Sequence, residues 1–211
     1  MKILGINGLN HDASISLIED GEVLFAGHSE RYSGIKNDSD LNNALFADCF
    51  KFGKPDKIAY FERPYLKKLR QLRAGQYDEV LSTKNIPSNY LKQWIGDTPI
   101  EYVQHHQSHA AAGYYTSPYD EACIVVIDAI GEFETCTIWY ANGSNFEKRL
   151  SIKYPNSLGL WYSAMTQRLG LKPQEDEYIL MGMAGWGEVN PKIKNGIKRD
   201  FFKKKLLFFA R

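Results

Sequence analysis

From Ala13 to Glu30 the chain reads ASISLIEDGEVLFAGHSE, two runs of alternating apolar and polar residues joined at Asp20-Gly21. Alternation with a period of two marks a strand that buries one face. An Asp-Gly pair between two such runs accepts the positive backbone angles of a tight hairpin turn. The chain therefore opens on a β-hairpin, and KILGING ahead of it reads as a short buried strand. An all-helical fold is excluded from the outset.

The later patterns interleave helices with strands. SDLNNALFADCFKFG has an N-cap serine, apolar residues at helical spacing and a closing glycine. KIAYFE reads as a strand and YLKKLRQLRAG as a basic helix, while residues 76–98 give only a short helix near NYLKQWIG. IEYVQ is a strand leading into QHHQSHAAAGYY, a helix. ACIVVIDAIG has the unbroken apolar run of a fully buried strand. TCTIWYANG and FEKRLSIKYP read as antiparallel strands meeting at Asn142-Gly143, and SLGLWYSAMTQRLGL and EDEYILMGMAG as helices. The order implies an α/β layer structure with a mixed sheet and no internal repeat.

Composition removes several function classes. The net charge of +1 gives no global field toward nucleic acid or membrane. Cys49, Cys123 and Cys136 follow no C-x-x-C spacing, which fits a reducing, cytoplasmic setting. Asn7, Asn10, His11 and Asp12 stand where a signal peptide needs an apolar run, and no stretch reaches the ~18 apolar residues of a membrane span. The stretch 188–211 carries eight basic residues against Glu188 and Asp200, a local +6 against −5 for the remainder.

Three of the five histidines, His105, His106 and His109, fall within five positions. On a helix His105 and His109 are i, i+4 neighbours with Cβ atoms about 5–6 Å apart, within reach of one cation at roughly 2.1 Å. The competing reading is a solvated helix start. Asp128 ends the apolar run CIVVID, and the carboxyl ends of such strands are where α/β proteins place their chemistry. It reads either as a turn cap or as a third ligand, since two imidazoles and a carboxylate suit a divalent ion. His11 and Asp12 follow a glycine-bearing turn that can present N–H groups to an anion, and Lys36 in SGIKNDSD is a possible phosphate contact or a surface lysine. Gly182, Gly185 and Gly187 in MGMAGWG permit close approach of a ligand or simply close a helix.

GINGLNHDASISLIEDGEVLFAGHSERYSGIKND, QHHQSHAAAGYYTSPYDEACIVVIDAIGE, SLGLWYSAMTQRLGL and EYILMGMAGWG, in this order, resemble the N-terminal part of the nodulation-type carbamoyltransferase family. The resemblance implies an actin-like ATPase (ribonuclease H-like) lobe with a mixed sheet over residues 1–187, only the first lobe of the family fold. It implies a divalent ion, Fe2+, held by His105, His109 and Asp128. It implies carbamoyl phosphate and ATP as co-substrates, joined into a carbamoyl-adenylate, with the carbamoyl group passing to a hydroxyl of a small-molecule or sugar acceptor. His11 would be the base. Asp12, Lys36, Gly131 and Glu132 would contact nucleotide and phosphate.

The sequence departs from the family pattern at DAIGE, with Ala129 in a glycine's place, at GIKND, and at Ile179, where a lysine is common. Family members run to several hundred residues, with a fourth metal carboxylate, a second lobe and a carbamoyl phosphate-activating domain. The expectation is therefore a chain that is inactive alone: a truncated binding module, or one subunit of a split enzyme completed by a second chain. The lysine triplet at Lys203 is where a reading frame could slip; alternatively 188–211 is a basic end that docks on a partner or an acidic surface. A free-standing metallohydrolase fits less well, because HHQSH lacks the glutamate of H-E-x-x-H and only Glu132 could replace it.

Overall fold

In the computed structural model, which describes residues 1–9, 11–83 and 85–201, KILGING becomes β1 (Lys2–Asn7) and points Leu4 and Ile6 into the core. Asn10 and the KKKLLFFAR end lie outside the described residues. The hairpin β2 (Ser14–Glu19) and β3 (Glu22–His28) turns at Asp20 and Gly21, both with positive φ, 50° and 92°. β1 pairs antiparallel with β2, from Lys2↔Glu19 to Asn7↔Ser14.

The chain then makes one helical turn, α1 (Glu30–Ser33), and the helix α2 (Asn43–Cys49). The cap of α2 is Asn42, whose Oδ1 accepts from Leu45 N–H at 3.0 Å, and not Ser39 as the sequence suggests. Asn42 also donates to the buried Ser29 hydroxyl at 2.9 Å, a tertiary contact that sequence spacing does not reveal. A 3-10 turn, Phe50–Phe52, leads to β4 (Lys57–Tyr60), parallel to β1. Next come α3 (Pro64–Arg73), α4 (Tyr77–Leu81) and α5 (Pro87–Ile95), with Pro64 and Pro87 in the first turn of α3 and α5, where a missing N–H costs nothing. β5 (Ile100–Tyr102) adds in parallel to β4 and feeds α6 (His105–Tyr115).

The first sheet is thus mixed, in the order β3-β2-β1-β4-β5. Leu4, Ile6, Ile15, Leu17, Ile58 and Tyr60 on one face pack with Leu45 and Phe46 of α2 and Leu91 of α5, all 3% exposed or less. Burying a side chain of this size contributes roughly 1.5–3 kcal/mol. The opposite face carries small residues in register: Ala26 lies beside Ser16, Ser16 beside Gly5, and Gly5 beside Ala59.

The second sheet holds β6 (Glu121–Gly131), β7 (Glu134–Asn142) and β8 (Asn145–Lys153) in that order. The β7–β8 turn is Gly143-Ser144, closed by the pair Asn142↔Asn145, one position beyond the expected Asn142-Gly143. β6 lies at one edge of this sheet, and one of its two faces is open: Val125 and Ile127, expected to be fully buried, are 55% and 56% exposed. Three helices follow, α7 (Leu158–Arg168), α8 (Glu177–Ala184) and α9 (Pro191–Phe201). Ser157 caps α7, its hydroxyl accepting from Leu160 N–H at 3.0 Å.

The chain divides into two compact units. Met1–Pro118 with Gly131–Phe133 is one, and Tyr119–Ile130 with the chain from Glu134 onward is the other. Among the described residues no helix is long and apolar enough to cross a membrane.

Candidate functional site

In the first unit the site is built at the end of β5. Val103 N–H donates to Tyr60 O at 2.9 Å, Gln104 stays extended, and α6 starts at once with His105. His105 and His109 lie one turn apart, and their Nε2 atoms are 3.1 Å from each other. At that separation both nitrogens could reach one divalent ion at about 2.1 Å each. The same distance fits a hydrogen bond between one protonated and one free imidazole nitrogen. The pair is also graded in exposure, with His105 7% exposed and His109 on the surface. His106 is fully buried, and its ring centroid stands 6.4 Å from that of His109.

Around His105 the packing is close. The Phe61 ring lies 5.4 Å away, centroid to centroid. Gly131 abuts the other side so tightly that a Cβ there would fall 2.2 Å from His105 Cδ2. The neighbouring Glu132, at φ 55°, is 4% exposed. Its Oε1 accepts from Arg63 N–H at 2.9 Å and Nε at 3.0 Å; its Oε2 accepts from Nε at 3.2 Å and Nη2 at 2.6 Å. Three donor groups of Arg63 make four contacts and take up most of the roughly four lone-pair sites of the carboxylate. Glu132 is therefore committed to Arg63, which removes the free base that a metallohydrolase would need. It also leaves its carboxylate little capacity for a nucleotide contact.

The second unit carries Asp128, half-buried near the end of β6, with Oδ1 accepting from Ala129 N–H at 2.6 Å. α7 grips this backbone. The Ser157 hydroxyl donates to Ala129 O at 2.6 Å, and a Cβ at Gly159 would meet Ala129 N at 2.6 Å.

A further cluster in the first unit surrounds the β1–β2 turn. His11 Nδ1 is 2.8 Å from Asp12 Oδ2, and His28 Nε2 is 3.6 Å from Asp12 Oδ1. The segment carrying Lys36 docks on this turn: Leu9 N–H donates to Ser39 O at 3.2 Å and Ala13 N–H to Asp38 O at 2.7 Å. Leu9, Asp12 and Asn37 all hold positive φ, 63°, 60° and 56°. Strain in non-glycine residues persists only where surrounding contacts enforce it. Asp38 is held below the ordinary carboxylate range by the Ser33 hydroxyl and the Asp40 N–H. Asn7 donates to Asp12 O at 2.8 Å, while its buried Oδ1 has no partner among the described residues.

The structure thus brings His11, Asp12 and the Lys36 segment together and joins His105 to His109. His28 and Arg63 are additions that sequence reasoning missed. A lone histidine at a strand end carries no spacing signal, and 69 residues separate Arg63 from Glu132.

A mixed-sheet α/β chain with a paired-histidine helix is the class that fold and site define. The family model described as Carbamoyltransferase N-terminus matches residues 60–206, well over half of the chain, and the chain belongs to that family. An uncharacterized protein of Synechocystis is 33% identical over 214 residues, covering 88% of this chain and 35% of its own length. The nodulation protein NolNO of Sinorhizobium fredii is 26% identical over 198 residues, covering 88% and 29%. The chain spans about a third of the length of these relatives. A solved Aquifex aeolicus PPX-GPPA enzyme aligns with 84% of this chain and 59% of its own, at 16% identity and a TM-score of 0.36.

Proposed function

We propose that this chain is the N-terminal part of an O-carbamoyltransferase of actin-like fold, with carbamoyl phosphate and ATP as co-substrates. The transfer would run from a carbamoyl-adenylate to a hydroxyl of a small-molecule or sugar acceptor. The acceptor oxygen bonds to the carbamoyl carbon as the bond from that carbon to the phosphate oxygen of AMP breaks. AMP leaves, and the hydroxyl proton passes to His11, whose Nδ1 is oriented by Asp12 at 2.8 Å. Lys36 and the backbone of the strained turn are suited to phosphate.

His105, His109 and Asp128 are the residues that would hold a divalent ion, with Fe2+ the expected metal. Such an ion acts as a Lewis acid on the bound carbamoyl compound and orients the acceptor. The observation that supports this reading is the 3.1 Å separation of the two Nε2 atoms in a chain whose family match covers that helix. The test is metal analysis of the purified chain and carbamoyl phosphate-dependent turnover, alone and with the downstream polypeptide of a relative added. Activity that survives complete chelation would refute the metal role.

A second reading is a folded binding module without turnover of its own. It is favoured by the exposed Val125 and Ile127 on edge strand β6, a surface suited to a further polypeptide. Turnover by the chain alone would exclude it.

A further inference from the structure

Two links of α3 reach the same three-residue turn. Arg63, at the N-cap of α3, binds Glu132 through four contacts, and the guanidinium of Arg73, at the far end of α3, lies 5.7 Å over the Phe133 ring. Between these anchors and α6 sits Gly131, whose backbone is flush with the His105 imidazole. The ring is thereby confined on two sides, by Phe61 and by Gly131. A confined imidazole can present Nε2 toward His109 without paying rotamer entropy at the moment a ligand arrives.

The arrangement is more than a surface ion pair. The Glu132 side chain is 3% exposed and its backbone is held at φ 55°, a conformation unfavourable for a glutamate and stable only if something fixes it. We propose that Arg63 is a positioning residue: through Glu132 it holds the turn Gly131–Phe133 against α6 and so fixes the His105 imidazole for metal binding. This rests on the reading of His105 and His109 as ligands. The role is that of an outer partner, whose loss typically weakens metal affinity 10–100-fold.

A control lies on the same helix. Lys67 pairs with Glu62 at 2.6 Å, and the Glu62 side chain is as buried as that of Glu132 to within a few per cent, yet among the described residues neither side chain has a hydrogen bond or ion pair to the turn or to α6. If Arg63 only stabilised α3, K67A and R63A would act alike.

The experiment is a Co2+ titration of the full chain, followed by its d–d absorption, with far-UV circular dichroism as the check on folding. Wild type is expected to bind Co2+. R63A should bind at least tenfold more weakly with an altered d–d band, R63K should recover part of the loss, and K67A should stay within twofold of wild type. Should R63A not fold, E132Q and R63K carry the test, each expected to weaken binding severalfold. Equal Co2+ affinity in wild type and these Arg63 or Glu132 variants overturns the positioning role and leaves the metal centre standing. So does equal weakening by R63A and K67A. If wild type itself takes up no Co2+, the histidine pair is not a metal site and the positioning role falls with it.

Discussion

Replacing Gly131 by alanine adds one methyl group where the structure has no room for it. The new Cβ would stand 2.2 Å from His105 Cδ2, 2.6 Å from its Cγ and 2.9 Å from His106 Cδ2. Ordinary contact starts near 3.4 Å, so the closest approach is about 1.2 Å too short. Neither ring has space to retreat, because His106 is fully buried and Phe61 backs His105. Gly131 has no left-handed φ, so the penalty is steric and not conformational. Overpacking of a well-filled site costs about 1–3 kcal/mol, and two rigid rings put this variant at the upper end. For a unit of this size, ~3 kcal/mol corresponds to a fall in Tm of roughly 10 °C or more. Thermal unfolding by circular dichroism reads the loss, and Co2+ affinity should fall with it as His105 is displaced. A G131A protein that melts within 2–3 °C of wild type, a shift of well under about 1 kcal/mol, would show that the turn is not seated on His105, and the reasoning would be wrong.

Gly113 in α6 gives the opposite sign: nothing lies within 4 Å of its added Cβ, so G113A should raise stability by about 0.5–1 kcal/mol in urea unfolding. H109A should abolish Co2+ binding with little loss of stability, whereas H106A, at a fully buried position, should lower Tm and leave Co2+ bound; the two together test which histidine pair is the ligand pair. Burial pushes the Cys49 thiol up to about 11, so at pH 8 a disulfide reagent should label exposed Cys123 rapidly and Cys49 only after unfolding, as peptide mapping would show.

Local signals were legible where one short segment contains both partners. The hairpin at Asp20-Gly21 is complete within its own turn, and the structure keeps it. The His105–His109 pair is legible for the same reason, lying within a single helical turn. What failed involves distant partners. Asn42 takes the cap of α2 because Ser29 holds it, thirteen residues away. α1 and α4, of four and five residues, are too short for a periodic pattern to register. The apolar run of β6 promised burial on both faces, yet exposure alternates along it, and the face that carries Val125 and Ile127 is left uncovered. The sequence offered Glu132 as a nucleotide contact or a spare base and nothing in it links this residue to Arg63.

The two sheets also repeat one device that no sequence comparison within the chain detects. Each has three consecutive strands lying side by side, β1-β2-β3 and β6-β7-β8. In each, the end of the first strand and the passage to the second carry candidate side chains: His11 and Asp12 in one, Asp128 and Glu132 in the other. Both passages hold non-glycine residues at positive φ, Leu9 and Asp12 in the first and Glu132 in the second. Both are tied down by groups remote in the chain, the Asp38 and Ser39 carbonyls in one case and the Arg63 guanidinium in the other. Strand alternation demands only a period of two, so every side chain can change while the topology survives. A strained turn, by contrast, needs a specific external partner to hold it. The repeat is therefore carried by backbone geometry and by those partners, which explains why a search for repeated letters finds none.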